Sequence, residues 1–232
     1  MSADRLVGTF VKLPATESVE VAAQAGFNFV IVDLEHSQLS DADGLRLVRH
    51  AFTMGFPAVV RVPECNRGQV NRLLEAGASG IQLSTVTSAG QVQELVAATR
   101  YAPGGERSVS LAHPVAGYGA TPLPDAVSAE PPLLVGQIET AETTDPLEKI
   151  LAAGLDVAFI GTTDLTVALG FDRARIDSRV RQIAVAAEAA GVALGIYAAT
   201  AAIAYPDARY LALSSDLSLL REAVGQAVKD AR

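Results

Sequence analysis

The chain has 232 residues, half of them hydrophobic and 19% charged, with one cysteine and a formal net charge of −8. That length supports a self-sufficient α/β core, the lone Cys65 excludes an internal disulfide or a multi-cysteine metal site, and the acidic balance argues against nucleic acid as the main partner. No apolar run approaches the ~20 residues of a membrane span, and the opening Met1-Ser2-Ala3-Asp4-Arg5 has no secretory pattern, so a soluble cytoplasmic protein is expected.

Taken in chain order, short apolar runs predict strands over 6–13, 28–34, 57–62, 80–84, 133–139, 156–161, 193–196 and 210–214. Several are continuously apolar, which suits a parallel sheet covered on both faces. Helical periods fall between them, over 18–25, 41–53, 68–76, 89–100, 141–153, 175–190 and 216–229. Four phrases, "AAQAGFNFV", "LLEAGASGI", "LAAGLDVAFI" and "AAEAAGVALGI", each run helix, glycine, strand. Eight strands with a helix after most of them predict one (β/α)8 barrel over 1–232. A doubly wound open sheet is the alternative, but no Gly-x-Gly-x-x-Gly turn follows any strand. The stretch 101–132 carries most of the prolines and no helical period, and reads as a long irregular loop between the fourth and fifth strands, of the kind that forms a lid or subunit contact.

A barrel places its chemistry at the C-terminal ends of its strands. Those ends carry Lys12, then Asp33, Glu35 and His36, then Arg61, Ser84, Thr85, Gln137, Glu139, Asp164, Tyr197, Ser214 and Ser215. Glu139 and Asp164 follow neighbouring strands and form a candidate pair for a hard divalent cation such as Mg²⁺. The plainer alternative has each capping a helix. Asp33 and His36 form a candidate acid–base unit, with the carboxylate fixing the imidazole tautomer; a surface turn is the plainer reading. Arg61 emerges from an apolar strand, where an arginine needs an anionic or polarised partner. Glu75 on the next helix is one structural candidate. His50 and His113 read as a surface-helix and a loop residue. Lys12 is the one lysine near a strand end, but no second cation is evident to make it a Schiff-base nucleophile. No Gly-x-Ser-x-Gly elbow marks a serine hydrolase.

The blocks "FVIVDLEHS", "VVRVPECNRGQVNRLLEAGASGIQL", "ATRYAPGGERS", "VGQIETAE" and "FIGTTDLTVALG" resemble, in order and spacing, the HpcH/HpaI aldolases, the metal-dependent pyruvate aldolases related to citrate lyase β subunits. The resemblance implies a (β/α)8 barrel whose last helix is exchanged between subunits of a homo-oligomer, a hexamer built as a trimer of dimers. It implies that Glu139 and Asp164 bind the divalent metal (Mg²⁺, with Mn²⁺ or Co²⁺ as alternatives) and that Gln137 helps hold the metal-site waters and substrate. It assigns Arg61 to the pyruvate carbonyl oxygen, Asp33 and His36 to acid–base work, and Glu75 to pairing with the arginine. The Gly161-Thr162-Thr163 turn is implied to take the pyruvate carboxylate on backbone amides. The expected reaction is reversible cleavage of a 4-hydroxy-2-oxo acid to pyruvate, or a close 2-oxo acid, and an aldehyde. A citrate-type synthase and a non-catalytic barrel are the alternatives. The chain departs from the family at Ser84, where proline is common, at Ser108, where glycine is usual, and in the loop 108–119; these positions border the acceptor side.

Overall fold

The computed structural model describes residues 5–200 and 207–232. Its strands are β1 (Leu6–Val11), β2 (Phe29–Asp33), β3 (Ala58–Val62), β4 (Gly80–Leu83), β5 (Leu133–Ile138), β6 (Val157–Ile160), β7 (Ala193–Ala198) and β8 (Tyr210–Ser215). The helices are α1 (Thr16–Gln24), α2 (Asp41–Thr53), α3 (Arg67–Ala76), α4 (Ala89–Thr99), α5 (Leu123–Ser128), α6 (Leu147–Leu151), α7 (Thr162–Ala168), α8 (Arg173–Ala190) and α9 (Asp216–Asp230). All neighbouring strands pair in parallel, and β8 pairs with β1, which closes the predicted (β/α)8 barrel.

Closure explains why the strands lack a polar alternation. One set of side chains fills the barrel, including Phe10, Phe29, Ile31, Val59, Phe159 and Tyr210. The alternate set, such as Val30, Val32, Val60 and Ile81, packs outward under the helices. Inside, Tyr210 stacks on Phe29 at 4.4 Å between centroids and meets Phe159 edge-on at 6.0 Å. Register then decides which polar residues share a layer. Asp33 is the register partner of Arg61, and Arg61 of Gln82. These three therefore point to one face, directly above the apolar filling.

Local chemistry fixes the helix ends. Ser40 and Ser88 form capping boxes with Asp43 and Gln91, and Asn66 and Asp172 cap α3 and α8. Gly77 ends α3 at φ 113°, and a β-carbon there would lie 2.5 Å from the Phe52 ring, so glycine meets both a backbone and a space requirement. Two expectations change. The helix predicted over 141–153 contracts to α6, because Pro146 supplies no amide and starts the helix late. The stretch 101–132 contains α5 and a kinked 3₁₀ segment, Pro114–Gly119, capped by the buried His113, whose Nδ1 accepts from the Ala116 amide.

Candidate active site

A cavity of about 300 Å³ opens at the C-terminal end of the barrel. Phe10 and Phe159 form its floor, and Lys12, His36, Arg61, Gln137, Asp164 and the Gly161-Thr162-Thr163 turn line it, with Tyr197, Ser215 and Ser218 on the β7–β8 side. A larger open groove of about 810 Å³ lies outside the barrel, between residues 142–148 and α8. No strand ends in that groove, so the smaller cavity is the one the barrel's polar layer serves.

Asp33 is the hub. It is fully buried and accepts from Arg61 Nε at 2.8 Å and Arg61 Nη2 at 2.6 Å. Lys12 Nζ also binds it, as do the Glu35 and His36 main-chain amides at 3.1 Å each. Burial works against its ionisation, but the hydrogen bond and charge of Arg61, with Lys12 and the His36 amide, outweigh that and hold its carboxyl well below the usual carboxylate range. Arg61 itself is 6% exposed and lies over the Phe10 ring, 4.7 Å from the centroid. Its Nη1 is 3.2 Å from Glu35 Oε2.

Two sequence-derived pairings change. Among the described residues Arg61 pairs with Asp33 and Glu35, not with Glu75. Glu75 instead accepts from Asn71 Nδ2 at 3.1 Å, and Asn71 accepts from Arg107 Nε at 3.0 Å. The reason is direction, since Arg61 points into the barrel and Glu75 stands on the outer α3. Asp33 and His36 do come together, but through the His36 amide rather than its ring. The exposed imidazole has Glu35 nearby, with Nε2 3.7 Å from Oε2.

The second carboxylate group is equally constrained. Glu139, 5% exposed, accepts at Oε1 from the Thr85 amide at 2.9 Å and the Thr85 hydroxyl at 2.7 Å, and Gln137 donates to its Oε2. Thr85 adopts φ 47°, which turns both of its donors to one oxygen. Gln82 Nε2 donates to Gln137 Oε1 at 2.7 Å, so the Gln137 amide must present its NH₂ to Glu139. No helix begins at Thr140, which removes the capping role for Glu139. A β-carbon on Gly161 would lie 2.3 Å from Glu139 Oε2, so the carboxylate occupies space that only glycine leaves. Asp164 is exposed in the first turn of α7. The Gly161 amide donates to the Ile138 carbonyl at 3.3 Å, and no side chain caps α7. Sequence reasoning missed Gln82 and gave Glu35 and Thr85 no role. The one signal for Gln82 was a polar residue inside the apolar strand "GIQL".

A buried ionic cluster in the mouth of a closed parallel barrel is the architecture of a barrel enzyme, with its charges spent on a site rather than on the core. The HpcH/HpaI aldolase/citrate lyase family model matches residues 6–212, and the chain belongs to that family. It is 33% identical to a hydroxypyruvate/pyruvate aldolase of Paraburkholderia phytofirmans, over 99% of this chain and 94% of that one. It is 31% identical to a 5-keto-4-deoxy-D-glucarate aldolase of Klebsiella pneumoniae, over 94% and 88%. Among solved structures, an HpcH/HpaI aldolase/citrate lyase family protein of Burkholderia cenocepacia superposes with a TM-score of 0.89 at 28% identity, covering 99% of this chain and 95% of that one. The protein is a carbon–carbon lyase.

Proposed function

We propose that the protein is a divalent-metal-dependent aldolase that reversibly cleaves a 4-hydroxy-2-oxo acid to pyruvate, or a close 2-oxo acid, and an aldehyde. The observation that carries this is the buried Arg61 facing a cavity that Asp164 and Gln137, the hydrogen-bond partner of Glu139, also line. Three of its N–H groups face Asp33 and Glu35, which leaves two of the five in a guanidinium for a substrate oxygen.

The donor set suits a hard cation. Glu139 and Asp164 offer carboxylate oxygens, and Thr85, Gln137 and the bare Gly161 α-carbon fix where Glu139 sits. No cluster of three or more His, Cys, Asp or Glu able to hold an ion occurs among the described residues. Two protein carboxylates leave the remaining positions to water and substrate oxygens, the habit of Mg²⁺, with Mn²⁺ or Co²⁺ as substitutes. When bound, such an ion supplies Lewis-acid polarisation of a 2-oxo acid's oxygens and so acidifies C3.

The protein's own side chains do the rest. Arg61 meets the C2 oxygen, where negative charge develops. His36 takes the C4 hydroxyl proton, directly or through one water. The Thr162 and Thr163 amides receive the substrate carboxylate at the start of α7. Phe10 and Phe159 keep water from beneath the reacting carbons. Lys12 Nζ donates to Asp33 and to the His36 carbonyl, so the amine is engaged with the protein rather than free to attack a substrate carbonyl. The aldolase names of the reported relatives weigh against the synthase alternative.

Pyruvate C3-proton exchange into D₂O tests this reading. Exchange should stop in EDTA and return with Mg²⁺ or Mn²⁺; full exchange in chelator would end the metal assignment.

A further inference from the structure

We infer that Glu35, held by the buried hydroxyl of Ser84, is the positioning residue that fixes Arg61 and the His36 ring relative to each other. Ser84 follows β4 and Glu35 follows β2, so the contact between them spans the β3 strand that carries Arg61. Ser84 is 1% exposed, and its Oγ donates to Glu35 Oε2 at 2.6 Å. That same oxygen lies 3.2 Å from Arg61 Nη1 and 3.7 Å from His36 Nε2. The Glu35 amide is tied to Asp33 Oδ1 at 3.1 Å, which fixes the base of the side chain while Ser84 fixes its tip.

The geometry has a mechanical meaning. Asp33 grips the guanidinium along its Nε–Nη2 edge and leaves it free to tilt about that edge. Glu35 holds the remaining Nη1 corner and blocks the tilt. A glutamate has three side-chain torsions, and one at the mouth of a cavity, 15% exposed, can swing toward solvent unless something retains it. The Ser84 hydroxyl is that retainer, and proline or alanine at this position would have no proton to donate. Arg61 serves the C2 oxygen and His36 the C4 hydroxyl, so one carboxylate sets the spacing between the groups acting on either side of the bond that breaks.

This rests on the aldolase reading, and the test separates the two. Cleavage of a 4-hydroxy-2-oxo acid by wild type, Ser84→Ala, Glu35→Gln and the double variant is measured with Mg²⁺, and crystals of Ser84→Ala are solved. Loss of one charge-assisted hydrogen bond should lower kcat about tenfold in Ser84→Ala, with KM changed less than about twofold. The double variant should be no slower than Glu35→Gln alone, because Ser84 acts only through Glu35. In the Ser84→Ala crystals the Glu35 carboxylate should stand away from Arg61. Wild-type kcat in either single variant, or single effects that multiply in the double, overturns the inference while leaving the aldolase reading intact. Inactive wild type overturns the aldolase reading, and a Glu35 still seated on Arg61 in the crystals overturns the positioning role in that case too.

Discussion

Asp33 shows how much one side chain can organise. It is itself fully buried and faces two cations, and removing one member of such a cluster leaves the buried Arg61 charge less well compensated. Asp33→Asn should therefore cost about 3–5 kcal/mol in urea unfolding. The pH sense follows from its depressed carboxyl. Its contribution is fully present above the unfolded carboxylate value of about 3.9 and is lost as pH falls below that toward the folded value. The wild type should thus lose stability more steeply than Asp33→Asn below about pH 4; parallel acid limbs in urea titrations would remove Asp33 from that role. Much of this was readable beforehand. A charged residue ending an apolar strand announces itself, which is why Asp33, Arg61 and Glu139 stand out in the sequence. Their partners do not, because contact depends on strand register and on which way α3 faces. Glu75 went astray for that reason, and Asp33 meets His36 through its amide because the turn after β2 folds the main chain, not the imidazole, onto the carboxylate. Ser84 is visible in the sequence as a departure from the family pattern, and only the folded chain connects it to Glu35.

At the scale of the element, the strand–turn junctions carry the site. The turn after β6 must bring a backbone within van der Waals range of Glu139, and Gly161 does so at an ordinary φ of −80°. Glycine is needed there for space alone. Gly161→Ala should displace the Glu139 carboxylate, lower stability by about 1–3 kcal/mol through overpacking, and weaken Mn²⁺ binding measured by titration. Unchanged Mn²⁺ affinity would show that the Glu139 position is immaterial to metal. The types of the eight strands and the longer helices were legible, since a buried parallel strand and an amphipathic helix have different apolar periods, whereas the short α5 and α7 span too few residues to show a period. Boundaries were less so. The segment 141–153 reads as one long helix, although Pro146 within it restricts the helix to α6.

For the molecule as a whole, α9 poses the clearest question. It packs against β1 and β8, yet none of its residues is buried, and Leu217, Leu220, Val224 and Val228 are 45–56% exposed along one side. We propose that a second copy of the chain covers this stripe, by the helix exchange that the family resemblance implies. Leu220→Arg should lower the mass seen by light scattering; the same mass in variant and wild type would place the interface elsewhere. No helix among the described residues is long and apolar enough to cross a membrane.

The seam between β1 and β8 has a further consequence. There the Asp216 carboxylate accepts from the Lys12 amide at 3.0 Å and the Leu13 amide at 3.1 Å, contacts that span 204 and 203 positions. A ribosome must therefore release β8 and the start of α9 before β1 finds that neighbour. Until then the nascent protein carries an unpaired apolar edge, the kind of surface that holding chaperones recognise.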